Sequence, residues 1–203
     1  MAVSIAIVKV LEYETKKNFS ELAEVICGHS LGEYTALCSV GCISLSDTAK
    51  LLRLRGESME KTIINTKTKM SAILGLHFDK VQMIINEDDN AGICEIANDN
   101  AVGQVILSGN KEKIEILQKD LKEKKIKSIP LKVSAPFHCS LMKPAAIKME
   151  EKINKTNFIN PSIKIVNNVT GKPEINSNVI KKLLIDQIFC TVRWRESLIH
   201  MSE

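Results

Sequence analysis

The chain has 203 residues, of which 44% are hydrophobic and 26% charged. That is the balance of a soluble globular protein long enough for one sizeable domain or two small ones. Only 4% of residues are aromatic and the net charge is a modest +4, which excludes a stacking platform for single-stranded nucleic acid. Six cysteines (27, 38, 42, 94, 139 and 190) form no C-x-x-C pair and mostly sit among apolar residues. They fit reduced thiols in a cytoplasmic protein better than a disulfide framework. None of the four histidines has the spacing of a metal ligand pair, so no metal is assigned.

In chain order, residues 3–13 read as a helix with Ile7, Val10 and Leu11 on one face. The apolar run Ala2 to Val10 is interrupted by Lys9, is followed by no small-residue cleavage site and is too short to span a membrane, so it is expected to pack into the core. Residues 24–27 have the composition of a strand, and residues 33–40 the spacing of a buried helix. Between them stands Gly28-His29-Ser30-Leu31-Gly32-Glu33, a serine at G-x-S-x-G spacing in the strand–turn–helix context of a nucleophile elbow. Such a turn strains the serine backbone, so its close neighbours are expected to lack side chains. The hydroxyl then stands at a helix N-terminus, where the Leu31 amide can face a developing oxyanion.

Gly41 ends this helix and Ser46-Asp47 begins the next, with Ala49, Leu52, Leu54 and Met59 among its apolar positions. Arg55 lies on that helix. It either snorkels to the surface or points into a cleft to hold an anion. From Met70 the texture changes to short elements: strand 70–77, helix 80–87, strands 93–97 and 104–108 joined by a turn-rich stretch 98–103, helix 111–125, strand 128–133. The order β-α-β-β-α-β is that of a ferredoxin-like unit. The fold expected is α/β, with a large unit formed by residues 1–60 and 135–203 and a small ferredoxin-like subdomain, residues 61–134, inserted in it. Lysines between 111 and 127 alternate with acidic residues, as on a solvated helix face. The sharper reading is a surface for an acidic protein partner. The large unit resumes at Ser134 to His138, followed by a helix 141–154 with Pro144 in its first turn, a strand 163–169, a helix 179–188 and a packed segment from Thr191.

A serine hydroxyl needs a positioned base. His138, on a loop at the junction back into the large unit, is the candidate. His77 falls in a small-subdomain strand, His200 near the chain end, and His29 beside the serine but pointing the other way along the turn. No carboxylate stands out as a third member. A backbone carbonyl can orient a neutral imidazole instead, so a Ser-His dyad is the economical reading.

These residues carry a resemblance. Gly28 to Tyr34, Leu54-Arg55-Gly56, Asn98-Asp99-Asn100 with Gly103-Gln104-Val105, Pro136 to Met142, Val166 to Val169, and Gln187 before Val192-Arg193-Trp194 look like the malonyl-CoA:acyl-carrier-protein transacylases, in the same order and through nearly the whole chain. The resemblance implies an α/β-hydrolase-like large unit, Ser30 as the acylated residue, His138 as its base, and a carbonyl near Gln187 orienting that base. It implies that Arg55 clamps the malonyl carboxylate. The spatial expectation is that the Ser30 hydroxyl meets the His138 imidazole across a groove, with the Arg55 guanidinium at its far end. The resemblance also places Gln187, Phe137 and Asn100 among the substrate-binding residues, with Phe137 typical of malonyl-selective members. The implied reaction is ping-pong transfer from malonyl-CoA to the phosphopantetheine thiol of acyl carrier protein in fatty-acid synthesis, without a cofactor, a nucleic acid or a membrane. The implied protein is cytoplasmic and monomeric once complete.

Two features of that family are absent: the upstream Gly-Gln-Gly-Ser-Gln loop, which supplies a second oxyanion amide, and the downstream strand with a Gly-Pro-Gly turn. The chain therefore resembles a member truncated at both ends, with two strands of the large parallel sheet left, around Val25 and Ile165. Losing one oxyanion donor typically costs about 10²–10³ in rate. Two other readings stay open: a serine hydrolase or thioesterase, and a non-catalytic remnant that binds carrier protein. Arg55 separates the first two, because hydrolysis of neutral acyl chains has no use for a cation.

Overall fold

A computed structural model describes residues 1–62 and 67–202. It is a mixed α/β structure with two sheets. The first is three-stranded in the order β1-β6-β7, built from β1 (Val25–Cys27), β6 (Lys164–Val166) and β7 (Pro173–Glu174). β1 and β6 run parallel with Ile26 opposite Ile165, and β7 lies antiparallel beyond β6. The sequence reading had two strands here. The third comes from Pro173-Glu174, too short to leave a periodic signal. Around this sheet lie α2 (Leu31–Ser39), α3 (Leu45–Lys61), α6 (Lys143–Lys155) and α7 (Ser177–Asp186). Their core is formed by Leu37, Leu51, Met149, Ile165 and Leu184, all but removed from water. Each such side chain contributes roughly 1.5–3 kcal/mol by burial.

The second sheet is four-stranded, in the order β3-β4-β2-β5, and each neighbouring pair is antiparallel. Its strands are β2 (Thr68–Leu74), β3 (Cys94–Ala101), β4 (Gln104–Asn110) and β5 (Lys127–Pro130), with α4 (Phe78–Asn86) after β2 and α5 (Lys111–Glu123) after β4. Alternation divides the strands between two faces. Ile73, Val105 and Leu107 pack with Val81 of α4 and Ile114, Leu117 and Leu121 of α5. Met70, Ala72 and Ile106 point the other way, against Phe137. The second face is the wall this sheet contributes to the site.

Further expectations need correction, among them His77, which stands at the N-cap of α4 rather than in a strand. In α1 (Ala2–Thr15) the buried residues are Ile5 and Val8, whereas Ile7, Val10 and Leu11 face outward. Apolar residues surround this helix, so periodicity did not single out the inner face. α3 starts at Leu45, capped by Ser44, whose hydroxyl accepts from Asp47 N at 3.0 Å, and Ala49 is exposed. The stretch Asn98 to Ala101 is strand: β3 continues through it with two register shifts, and only Val102-Gly103 turn. Lys113 does not lie on a solvated face. It is buried and paired with Asp88 at 2.8 Å, and it donates to the Asp88 and Asn90 carbonyls.

The bulged end of β3 also joins the sheet to the C-terminal segment. Asp99 N donates to Val192 O at 2.9 Å and Val192 N to Ala97 O at 2.8 Å. Arg195, on α8 (Trp194–Ser202), holds the buried Asp99 carboxylate through Nε and Nη2. Among the described residues no helix is long and apolar enough to cross a membrane.

Candidate active site

β1 ends at Cys27 and α2 begins at Leu31, so the chain reverses over three residues. Ser30 stands at the bend with φ 53° and ψ −107°, a left-handed conformation that costs a non-glycine residue about 1–3 kcal/mol and persists only when its surroundings over-determine it. Those surroundings come from elsewhere in the chain. Asn168, just after β6, accepts from Ser30 N at 2.6 Å and donates Nδ2 to Gly28 O at 2.9 Å. Gln187, at the end of α7, donates Nε2 to Ser30 O at 3.1 Å and to Glu33 Oε2 at 2.7 Å. The same Glu33 oxygen accepts from Asn168 N at 3.1 Å.

A directed chain of hydrogen bonds crosses this bend. Arg55 Nη2 donates to Ser30 Oγ at 2.9 Å, Ser30 Oγ donates to His138 Nε2 at 2.8 Å, and His138 Nδ1 donates to the Gln187 carbonyl at 2.7 Å. The carbonyl accepts only, which fixes the imidazole proton on Nδ1 and leaves Nε2 as an acceptor for the hydroxyl. Burial, together with the Arg55 charge, pushes the His138 pKa down to about 3, while the bond to the Gln187 carbonyl opposes that shift. The imidazole is thus neutral at any ordinary pH. Arg55 is buried too, which lowers its pKa, while Tyr34 and Glu33 oppose that shift.

Ser30, His138 and Arg55 line one cavity of about 280 Å³, with Met70, Phe137 and His29. Contrary to the expectation from the sequence, Arg55 does not lie at the far end of the groove. α3 packs against α2, so the guanidinium comes to the Ser30 hydroxyl itself. His29 also differs from expectation. It faces the cavity, with Nε2 3.0 Å from Asn100 Oδ1 and its ring edge-on to Trp194. Asn100 is held by that contact. The Gln187 side chain is fully buried and its amide is shared among Ser30, Glu33 and Arg55, so it holds the site together from behind. The Leu31 N–H, at the first turn of α2, is accepted by no described residue. Of the two elbow glycines only Gly28 is sterically required. A Cβ there would lie 2.1 Å from the Gly32 backbone, whereas one at Gly32 would meet nothing within 4 Å.

Glu33 and Asn168 were not singled out in the sequence as site residues. Their partners lie 135 and 138 positions away, and the only local sign was Glu33, a charged residue on an apolar helix. Burial raises the Glu33 pKa to about 7, opposed by its bonds from Gln187 and Asn168 and by Arg55. Stability from this group is fully present below the unfolded value near 4.5 and is lost as pH rises through 7. Glu33→Gln keeps an acceptor oxygen and removes the buried charge. We expect it to stabilise the protein by about 1–2 kcal/mol at pH 8 and by little at pH 4.5, part of the gain being offset by lost attraction to Arg55. Urea denaturation at the two pH values checks this, and an equal effect at both would refute it.

A serine on a strand–turn–helix bend, bonded to a neutral histidine that a carbonyl orients, defines an acyl-transferring or acyl-hydrolysing class of α/β protein. The whole chain, residues 1–203, matches the family model of the acyl transferase domain, and it belongs to that family. It is similar to the malonyl CoA-acyl carrier protein transacylase of Escherichia coli strain K12, with 34% identity over 203 residues, covering 100% of this chain and 64% of that protein. Among solved structures it is similar to the acyl-carrier-protein S-malonyltransferase of Bartonella henselae, with TM-score 0.94 and 38% identity over 99% of this chain and 64% of that one. A type II PKS acyl-carrier protein in complex with its malonyl-transacylase gives TM-score 0.90 and 34% identity over 98% of this chain and 63% of the other. The chain thus spans somewhat less than two thirds of the length of these relatives.

Proposed function

We propose that this chain carries the acyl-transfer centre of a malonyl transacylase, which moves a malonyl group from malonyl-CoA to the phosphopantetheine thiol of acyl carrier protein. The observation that carries the reading is the directed chain from Arg55 through Ser30 and His138 to the Gln187 carbonyl. Ser30 Oγ gives its proton to His138 Nε2 as it attacks the thioester carbonyl carbon, and the Leu31 amide faces the resulting oxyanion. The carbon–sulfur bond then breaks, and the departing coenzyme A thiolate takes the proton from His138. The carrier thiol reverses the sequence. It gives its proton to His138, attacks the malonyl-Ser30 ester, and Ser30 Oγ recovers the proton. Acyl carriage and proton movement both fall to side chains, so we assign no cofactor. The six free cysteines support a reducing compartment, and we place the protein in the cytoplasm.

We read residues 1–60 and 135–203 as an α/β-hydrolase-like unit and residues 61–134 as a ferredoxin-like insertion. The β3-β4-β2-β5 order with antiparallel neighbours supports the second assignment. Phe137 from one unit and Met70 from the other close the cavity, which favours a small acyl group.

Arg55 supports transfer of a dicarboxylic acyl group over hydrolysis of a neutral one. Both its hydrogen bonds leave from Nη2, and its buried Nε has no partner among the described residues, so donors remain for a carboxylate. Arg55→Ala is expected to slow malonyl loading by about 10–100-fold, the worth of a charge-assisted pair, and to spare acetyl loading. Equal loss of both would remove Arg55 from carboxylate recognition. The function itself is tested by incubating the protein with radiolabelled malonyl-CoA, with Ser30→Ala as control. Label that is stable on Ser30 and moves to carrier protein supports transfer. Label lost to water would indicate a hydrolase, and no label a binding remnant.

A further inference from the structure

His138 has φ 57°, a left-handed conformation uncommon outside glycine, and its two side-chain bonds, to the Gln187 carbonyl and from Ser30 Oγ, hold the ring rather than the backbone. A second restraint lies two residues on. Ser140 begins a 3-10 turn (Ser140–Met142) that runs directly into α6, so its backbone sits at the positive end of a continuous helical stack. The carboxylate of Glu95, on β3 of the four-stranded sheet, takes both of its donors. Ser140 N donates to Oε2 at 2.8 Å and Ser140 Oγ donates to Oε1. Two oxygens on two donors of one residue fix orientation as well as position.

We infer that Glu95 is a positioning residue for His138: its two-point hold on Ser140 keeps the imidazole loop in the strained conformation that presents Nε2 to the Ser30 hydroxyl. The inference rests on the proposed role of His138 as base. It assigns the small sheet a part in the chemistry besides walling the cavity, because a carboxylate on β3 sets the geometry of a base carried by the large unit. Displacing a base by about 1 Å costs on the order of 10²-fold when it is fully misplaced. Loss of one restraint among several should cost less.

The test uses the full chain and two readouts. In Glu95→Ala the maximal rate of Ser30 acylation by malonyl-CoA is expected to fall about tenfold with KM within about twofold, since substrate contacts are untouched. Independently of any acyl donor, 15N NMR of the His138 ring is expected to show its Nδ1 proton exchanging with solvent at least about tenfold faster than in the wild type. Ser140→Ala, a single-atom truncation that keeps the fold, is expected to give about a threefold loss of rate. The double variant should be no slower than Glu95→Ala alone, because both remove one interaction. Unchanged Nδ1 exchange in Glu95→Ala, or fully additive losses in the double variant, would overturn the inference. A wild-type chain that takes no label would overturn the proposed function alone, and the NMR measurement would still judge the role of Glu95.

Discussion

His138→Ala is expected to slow acylation of Ser30 by malonyl-CoA by at least about 10³-fold, with substrate affinity little changed. The Ser30 hydroxyl has one acceptor, His138 Nε2 at 2.8 Å, and its other partner, Arg55 Nη2, can only donate. Removing the imidazole leaves the proton no side chain to go to. The Leu31 amide at the start of α2 still faces the developing oxyanion, so some reactivity should survive. The wild-type pH profile carries the sharper signature. An ordinary histidine base loses activity below pH 6.5, but burial and the Arg55 charge hold His138 at about 3, so kcat/KM should show no acid limb from this group at pH 5. A step near pH 7 would belong to Glu33, and Glu33→Gln should abolish it. Stability follows the same shift. The His138 contribution is present above pH 6.5 and is lost as pH falls toward 3, because the unfolded chain takes up a proton that the folded one refuses. A histidine-dependent acid limb near pH 6.5 would refute this account of the site.

The parts of the fold legible in the sequence were those set by local chemistry. A strand, a glycine-flanked serine and a helix in succession identify the bend at Ser30, and the alternation of short strands with helices between 70 and 130 identifies the second sheet. What was not legible came from distant partners. Asn98 to Ala101 carries turn-forming residues, yet it is strand because Val192 bridges to Asn98 and its amide and carbonyl pair with Ala97 and Asp99. Lys113 reads as one lysine among many, yet Asp88 and two carbonyls of the loop after α4 draw it inside. The site divides the same way. Ser30, Arg55 and His138 stand out by residue type and context, whereas Glu33, Asn168 and Glu95 work through bonds to residues 45 to 154 positions away. Gln187 has both aspects. Its carbonyl orients the imidazole, and its side chain ties the bend to Glu33 in a way no spacing revealed.

Gly28→Ala is expected to destabilise the protein by about 4 kcal/mol, lowering the melting temperature by roughly 10 °C and abolishing acylation of the remaining folded fraction. The added Cβ would lie 2.1 Å from both the carbonyl carbon and oxygen of Gly32 and 2.7 Å from Glu33 N. These are backbone atoms of the first turn of α2, which no rotamer change can move aside, so α2 must shift away from β1. That shift strains the Asn168 bridge, since the same amide holds Gly28 O and Ser30 N, and each such bond is worth about 1 kcal/mol. Overpacking of a side-chain site typically costs about 1–3 kcal/mol, and the bridge supplies the remainder. Gly32→Ala is the matched control. Its Cβ meets nothing within 4 Å and it lies inside α2, so restricting the unfolded chain should stabilise the protein by about 0.5–1 kcal/mol and raise the melting temperature by about 2 °C. Thermal unfolding of the two variants side by side decides the matter. If Gly28→Ala melts as Gly32→Ala does, the bend has room to open, and the strain at Ser30 is not enforced by the approach of α2 to the end of β1.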